Sequence, residues 1–350
     1  MSRQRPAGTS GVIVFGTEGM SVQARDGATI NELFSIAKMT LERWPAALCL
    51  LRGGHLPTRP PPPNRRTHLI GEKHMKHVTL PGGEVVPSMG QGTWKMGERA
   101  ERRSDEIAAL RAGVELGMTL IDTAEMYGDG AAESLIREAL GSVRDQLFLV
   151  SKAYPQNASR SRLAGACEAS LKRLGTDRLD LYLLHWRGSV PLAETVEALE
   201  ELKSAGKIRH WGVSNLDTDD MEELVAAGGG GCVTDQILYN LVRRGPELDL
   251  LPWLTEHKIP VMAYSPVEQG RLSTHPALDK IAAEVGATPV QVALSWTLRR
   301  DGLIAIPKAS SVAHVRENRA AADIVLSDAQ LATLDAAFPR PSNRRPLEML

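Results

Sequence analysis

Met118-Thr119-Leu120-Ile121-Asp122-Thr123-Ala124-Glu125-Met126-Tyr127-Gly128 is an apolar run that stops at an acid and presents a tyrosine one turn later. Met118 to Ile121 reads as a buried strand. Asp122 alone is explained as well by a strand-end cap or an ion-pair partner as by chemistry. Two later stretches repeat the pattern. Leu147-Phe148-Leu149-Val150 runs on to Ser151 and Lys152, and Leu179-Asp180-Leu181-Tyr182-Leu183-Leu184 runs on to His185. Three successive apolar strands thus end in Asp122 with Tyr127, in Lys152 and in His185. In a parallel barrel these ends share one face, where reactive groups gather.

The alternation extends in both directions. Met89 to Trp94 reads as a first strand running into a loop, followed by a helix capped at Ser104-Asp105 that buries Ile107, Leu110 and Val114. Helices are predicted over Ala131 to Leu140, over Arg160 to Leu174 before Gly175, and over Pro191 to Lys203 before Gly206. The second half supplies Ile208 to Val213 ahead of Ser214-Asn215, and Val233 to Asp235 ahead of Gln236. Pro260 to Ala263 precedes Tyr264-Ser265-Pro266, and Leu303 to Ile306 precedes Pro307-Lys308. About eight strand–helix units predict a closed (β/α)8 TIM barrel. Ahead of it, His77 to Leu80 and Glu84 to Val86 flank Pro81-Gly82-Gly83 as a hairpin. No Gly-x-Gly-x-x-Gly opens a βαβ unit, and no lysine follows Gly228 to Gly231, so neither a Rossmann domain nor a P-loop is indicated.

The 350 residues carry a formal net charge of −1 with the signs interspersed, which gives no footprint for nucleic acid. The longest membrane candidate, Ala46 to Leu51, is far too short to span a bilayer. Cys49, Cys167 and Cys232 are few, odd in number and far apart, which fits neither a disulfide framework nor a metal site and favours a reducing, cytoplasmic setting. Residues 1–74 differ from the rest in their arginine and proline content and in the run Pro60 to Pro63. They are expected to be a disordered or partly helical extension, with a helix over Thr29 to Leu41, or the product of a start placed upstream of Met75. Residues 75–339 form the barrel unit and 340–350 a short polar tail.

Together the strand-end residues suit protonation of a carbonyl oxygen. A free tyrosine, with a pKa near ~10, is a weak acid at neutral pH unless its phenolate is stabilised. A Lys152 ammonium beside it would do so, Asp122 would hold the lysine, and His185 would orient the carbonyl. Each residue also has a plainer reading. Lys152 alone is a solvated loop lysine or, more sharply, a Schiff-base lysine of a barrel aldolase. His185 alone is a hydrogen-bonded core histidine.

Asp122, Tyr127, Lys152 and His185, in this order and setting, resemble the catalytic tetrad of the aldo-keto reductases, and the resemblance runs from about Met75 to Pro339. It is nearest to bacterial single-domain members that reduce small aldehydes such as methylglyoxal. The resemblance implies a barrel with its bottom closed by the hairpin, and NADPH (or NADH) as hydride donor. It places Ser214, Asn215 and Gln236 at the carboxamide and Tyr264 beneath the nicotinamide. Gly92, Thr93, Trp94 and Asp122 also fall near the cofactor, and Ser265, Pro266, Gly270 and Arg271 beside the pyrophosphate. Lys308 and Ser310 would hold the 2′-phosphate, with Glu317 and Asn318 at the adenine. Trp94, Tyr127, His185 and Trp186 would line the site for a small carbonyl substrate. His314 stands where many NADPH-dependent members place an arginine. No metal is implied, and a monomer is expected. A cofactor-sensing subunit with little turnover is the alternative within the same resemblance.

Overall fold

The computed structural model describes residues 12–16, 19–23 and 75–350. The helix expected over Thr29 to Leu41 and the proline run lie outside the described residues. The chain divides into two units, Met1–Leu69 and Ile70–Leu350. In the first, β1 (Val12–Gly16) and β2 (Gly19–Gln23) pair antiparallel, Val12 opposite Gln23 and Gly16 opposite Gly19. The sequence reading named no strand there, although an apolar, partly β-branched run closed by two nearby glycines is a hairpin pattern.

The second unit opens with a hairpin of β3 (His77–Thr79) and β4 (Val85–Pro87), antiparallel with Val78 opposite Val86. Eight parallel strands follow in sequential order. They are β5 (Gln91–Gly92), β6 (Leu120–Asp122), β7 (Phe148–Ala153), β8 (Leu179–Leu184), β9 (Ile208–Ser214), β10 (Cys232–Leu238), β11 (Val261–Tyr264) and β12 (Leu303–Ala305). The ends of the sheet meet. Gly90 donates to the Ala305 carbonyl at 2.9 Å, Ala305 to Ser88 at 2.8 Å, and Gly92 to Pro307 at 3.1 Å. The sheet is therefore a closed barrel with no unpaired edge. Closure needs bare backbone at the seam, since a Cβ on Gly92 would lie 2.7 Å from the Ile306 carbonyl oxygen.

Helices fill the connections, at Ala131–Leu140 and Arg160–Leu174 where the sequence places them. Two starts differ. The helix Arg103–Glu115 is not capped by Ser104-Asp105, because a 3-10 turn over Ala100–Arg102 feeds directly into it. Asp105 instead lies in its first turn, where a negative charge suits the helix dipole. Pro191 is the residue before the helix Leu192–Ser204, not its first member.

The core forms two shells. Leu120, Phe148, Val150, Leu181, Leu183, Val233, Met262, Ile304 and Ile306 pack with Val78, Leu80 and Val86 of the hairpin. Leu120 and Phe148 open their strands, so the hairpin plugs the amino-terminal end of the barrel. Glu84 fixes it there through His210 (2.8 Å) and Arg209 (2.9 Å), both near the start of β9. The larger shell, with Trp211 and Trp296 at 0% exposure, lies between strands and helices.

Candidate active site

Period-two alternation aims the reactive side chains. Phe148 and Val150 face the barrel interior, so Lys152 does too. Leu181 and Leu183 set the same phase for His185, and Leu120 for Asp122. At the bottom these positions are apolar and fill the barrel. At the top they become Asp122, Lys152 and His185.

Tyr127 arrives by a different route. Gly128, Asp129 and Gly130 have φ of 57°, 51° and 87°, and this left-handed run turns the chain from β6 into the next helix. Gly130 cannot be exchanged cheaply, because its φ of 87° strains any L side chain, and a Cβ there would also press on the Arg173 side chain. Arg173 is in turn held by the buried Glu133, which accepts from Ser151 at 2.7 Å. The loop that presents the tyrosine is thus tied to the strand that presents the lysine.

Lys152 is at 0% exposure. Its ammonium donates to Asp122 Oδ2 (2.9 Å), to the Thr123 carbonyl (2.8 Å) and to the Tyr127 hydroxyl (3.1 Å). Asp122 Oδ1 lies 2.8 Å from the same ammonium and accepts from Gln236 Nε2 at 2.8 Å. Burial lowers the lysine pKa, but Asp122, helped by Tyr127, outweighs it and leaves the group above its ordinary value. Lys152 is a cation throughout the neutral range. For Tyr127 burial is the largest influence and raises the pKa, while Lys152 pulls it down without offsetting it. Lys152 thus acts on the phenolate in the sense the sequence reading expects, but the net pKa lies above the usual tyrosine value, because the site is drier than a sequence can show.

The His185 ring lies 5.9 Å from that of Tyr127 at 71°. Burial, with Lys152 adding to it, pushes its pKa down to about 2, so the imidazole is neutral. Its Nδ1 is buried without a hydrogen-bond partner. In the tautomer that carries the proton on Nε2, that nitrogen is a donor. Trp186 packs 4.9 Å from His185, and Tyr154 meets Trp186 edge-on at 5.9 Å. Trp94, on the loop after β5, is 38% exposed, with the Lys95 ammonium 4.3 Å from its ring centre. Tyr154 escaped the sequence reading, yet it is two residues past Lys152 and the same alternation points to it.

Beside this cluster lies a set of amides and hydroxyls. Ser214 donates to the Gln236 carbonyl at 2.7 Å, and Asn215 Nδ2 to the His185 carbonyl at 3.1 Å and to Ser214 Oγ at 3.0 Å. The Tyr264 hydroxyl donates to Asn215 Oδ1 at 2.9 Å. Asn215 has φ of 59°, a left-handed conformation that asparagine tolerates better than most residues. The cap of the following helix, Thr218–Ala226, is Asp217, which leaves Ser214 and Asn215 to this network. Hydrogen-bonding amides on neighbouring strand ends next to a half-buried aromatic ring fit a flat carboxamide-bearing heterocycle such as nicotinamide.

Farther along the rim, Lys308 hydrogen-bonds the Ser310 hydroxyl, and Ser310 faces Glu106 at 3.3 Å. Burial lowers the Lys308 pKa, and Glu106 only partly opposes it. This is a cation that a phosphate would stabilise. Asn318 is buried on the helix Val312–Ala321, while Glu317 and His314 are exposed. Gly92 and Thr93 are engaged by the barrel itself, Gly92 at the seam and Thr93 through a 2.9 Å bond from its hydroxyl to the Asp122 carbonyl. In the loop after β11, Ser265 and Gly270 have φ of 47° and 84°. Pro266 is buried there, and Arg271 reaches Glu268 at 3.0 Å. Glu268 is buried and organises this loop, a role the sequence did not signal because its partners Asn240 and Arg243 come from another connection. Among the described residues no group of three His, Cys, Asp or Glu could hold a metal ion, and no helix is long and apolar enough to cross a membrane.

Residues 88–338 match the model of the aldo/keto reductase family. The methylglyoxal reductase YeaE of Escherichia coli is 52% identical over 281 residues, covering 79% of this chain and 99% of that protein. A glyoxal reductase of Bacillus subtilis is 31% identical over 259 residues, 74% of this chain and 91% of that one. The crystal structure of an aldo/keto reductase from Klebsiella pneumoniae in complex with NADP and acetate aligns with a TM-score of 0.77 at 51% identity, covering 79% of this chain and 100% of that chain.

Proposed function

The chain belongs to the aldo/keto reductase family, and from that premise we propose that it reduces small aldehydes or ketones to alcohols with NADPH, methylglyoxal-like 2-oxoaldehydes among them. The observation that carries this reading is the Lys152 ammonium, held by Asp122 and in turn hydrogen-bonded to the Tyr127 hydroxyl beside a neutral His185. When bound, NADPH supplies the hydride.

The chain's own residues handle the proton. A neutral His185 with its proton on Nε2 donates a hydrogen bond to the carbonyl oxygen and orients the carbonyl. Negative charge then develops on that oxygen, and the Tyr127 hydroxyl, protonated at neutral pH, gives its proton to it. The phenolate left behind is stabilised by the adjacent Lys152 cation in a dry site, where a fixed charge acts strongly. Solvent later restores the proton. Trp186, Tyr154 and Trp94 supply apolar walls for a small substrate.

Ser214, Asn215 and Gln236 would hold the carboxamide and Tyr264 the face of the ring, while Lys308 and Ser310 would take the 2′-phosphate. The barrel unit, residues 75–339, carries this chemistry. A Schiff-base role for Lys152 fits the geometry poorly. An imine needs a neutral amine, whereas this one is kept charged and has three acceptors around it.

The test is NADPH oxidation at 340 nm with a panel of small aldehydes, methylglyoxal included, for the wild type and Tyr127→Phe. The wild type is expected to turn over, and the variant to keep NADPH affinity while losing kcat by at least about 10²-fold. Tight NADPH binding without turnover of any aldehyde would favour a cofactor-sensing role instead. Undiminished turnover by Tyr127→Phe would remove the tyrosine from the mechanism.

A further inference from the structure

The segment from Arg344 to Leu350 is tied back onto the barrel at four points. Arg344 pairs with Asp219 at 2.8 Å and with Asp249 at 2.6 Å. Leu347 packs against the outer core. Glu348 accepts from Arg243 Nη1 at 2.6 Å, and the backbone of Leu350 lies against the Tyr264 hydroxyl.

The third tie matters because of what else Arg243 holds. Its Nε and Nη2 lie 3.2 Å and 2.7 Å from Glu268 Oε1. Glu268, only 4% exposed, also accepts from Asn240 at 2.8 Å and from Arg271 at 3.0 Å. It stands in the loop after β11, where Ser265, Glu268, Gln269 and Gly270 have φ of 47°, 50°, 56° and 84°. Three non-glycine residues in that region are strained, and such a backbone persists only where surrounding contacts over-determine it. Arg243 is the joint through which the tail adds to that restraint.

We propose that residues 344–350 act as a latch: through Glu348 and Arg243 they hold the 265–271 loop over the dinucleotide groove, so that cofactor release waits for the Glu348–Arg243 pair to part. The proposal rests on reading that groove as the NADPH site. The pair is built to open. Glu348 is 50% exposed, whereas the inner anchors of Glu268 stay in place when it leaves, so the loop loosens without unfolding. The far end of the latch meets Tyr264, the ring assigned to the nicotinamide and the residue immediately before the loop.

Two variants that break the pair test this, Glu348→Gln and a chain ended after Pro346, with Glu348→Asp as the conservative control. The first measurement is hydrogen exchange of the amides of residues 265–271 without cofactor. The second is the rate of NADPH release in stopped flow, with excess NADP as displacer. Glu348→Gln is expected to speed loop exchange and to raise the release rate about two- to five-fold, the range open to an exposed ion pair. Its release rate should also depend less on salt than that of the wild type. The shortened chain should match or exceed it, and Glu348→Asp should restore part of the effect. Unchanged loop exchange in both variants, or faster exchange with unchanged release, overturns the latch. A wild type that fails to bind NADPH overturns the cofactor reading instead, and loop exchange still decides whether the tail restrains the loop.

Discussion

Replacing Asp122 by asparagine removes one charge from the buried pair while keeping the side chain's shape. Lys152 is fully buried and Asp122 is 2% exposed, so the lysine would face a neutral amide in a dry site. Removing one partner of a buried ion pair costs about 3–5 kcal/mol, because the remaining charge stays desolvated. The amide oxygen would still accept a hydrogen bond, which places the loss near the lower end, at about 3 kcal/mol. For a domain of this size that is a fall in Tm of about 6–12 °C. The dependence on pH gives the sharper check. In the wild type burial lowers the Lys152 pKa, but Asp122 and Tyr127 raise it above the unfolded value. The stabilisation from the pair is therefore complete below about pH 10.5 and is lost only as pH rises through the folded pKa. In Asp122→Asn burial dominates and the folded pKa falls below the unfolded one. The variant then gains stability as pH rises towards about 10.5. The stability gap should thus be widest near neutrality and narrow on the alkaline side. Urea unfolding followed by tryptophan fluorescence, repeated from about pH 7 to 10, measures it. Aldehyde reduction should fall about 10²–10³-fold, as for loss of an electrostatic contact at a developing charge. A gap under about 1 kcal/mol that does not change with pH would refute the claim that Asp122 keeps Lys152 charged.

Two further outcomes follow from single contacts. His185 is neutral in the folded chain, with its pKa held at about 2 by burial and by Lys152. Its folded pKa lies below the unfolded value near ~6.5, so stability is lost as pH falls below that value, at about 1.4 kcal/mol per unit for this group. His185→Asn should flatten the acid limb of a Tm–pH series between about pH 6.5 and 4, and an unchanged slope would show that the histidine titrates normally. Gly92→Ala sets a Cβ 2.7 Å from the Ile306 carbonyl oxygen at the barrel seam. It should destabilise by about 1–3 kcal/mol through forced backbone movement, read by thermal denaturation. A neutral outcome would mean that the seam yields freely.

The order of elements was legible because barrel strands alternate strictly. The strand ends carrying Lys152 and His185 were legible from the apolar runs, but their inward phase was not: Leu147 to Val150 is apolar at every position, and only packing shows that Phe148 and Val150, with Lys152, face the interior. Tyr154 shares that phase and was missed because it lies beyond the apolar run. The caps were harder to place. Whether Ser104 or a preceding turn starts a helix depends on the local path of Ala100 to Arg102, and no composition signal distinguishes the two. The hairpin over residues 12–23 had a readable pattern, but it sat in a segment whose overall composition argued for little order.

Sequence alone determined the fold class, three strand-end residues with one loop tyrosine, and their likeness to a reductase tetrad, since these depend on periodicity and residue type within short stretches. Tertiary structure decided the electrical state of those residues. Burial raised the Tyr127 pKa despite Lys152, lowered that of His185 to about 2 and left Asp122 to keep the lysine charged. Desolvation depends on everything packed around a group, and its neighbours here come from strands up to 114 residues apart, as in the Gln236–Asp122 bond. The same holds for Glu348, Arg243 and Glu268. Their charges are plain in the sequence, but only folding brings tail and loop within reach of one guanidinium, because the chain must close its barrel before residue 348 can meet residue 243.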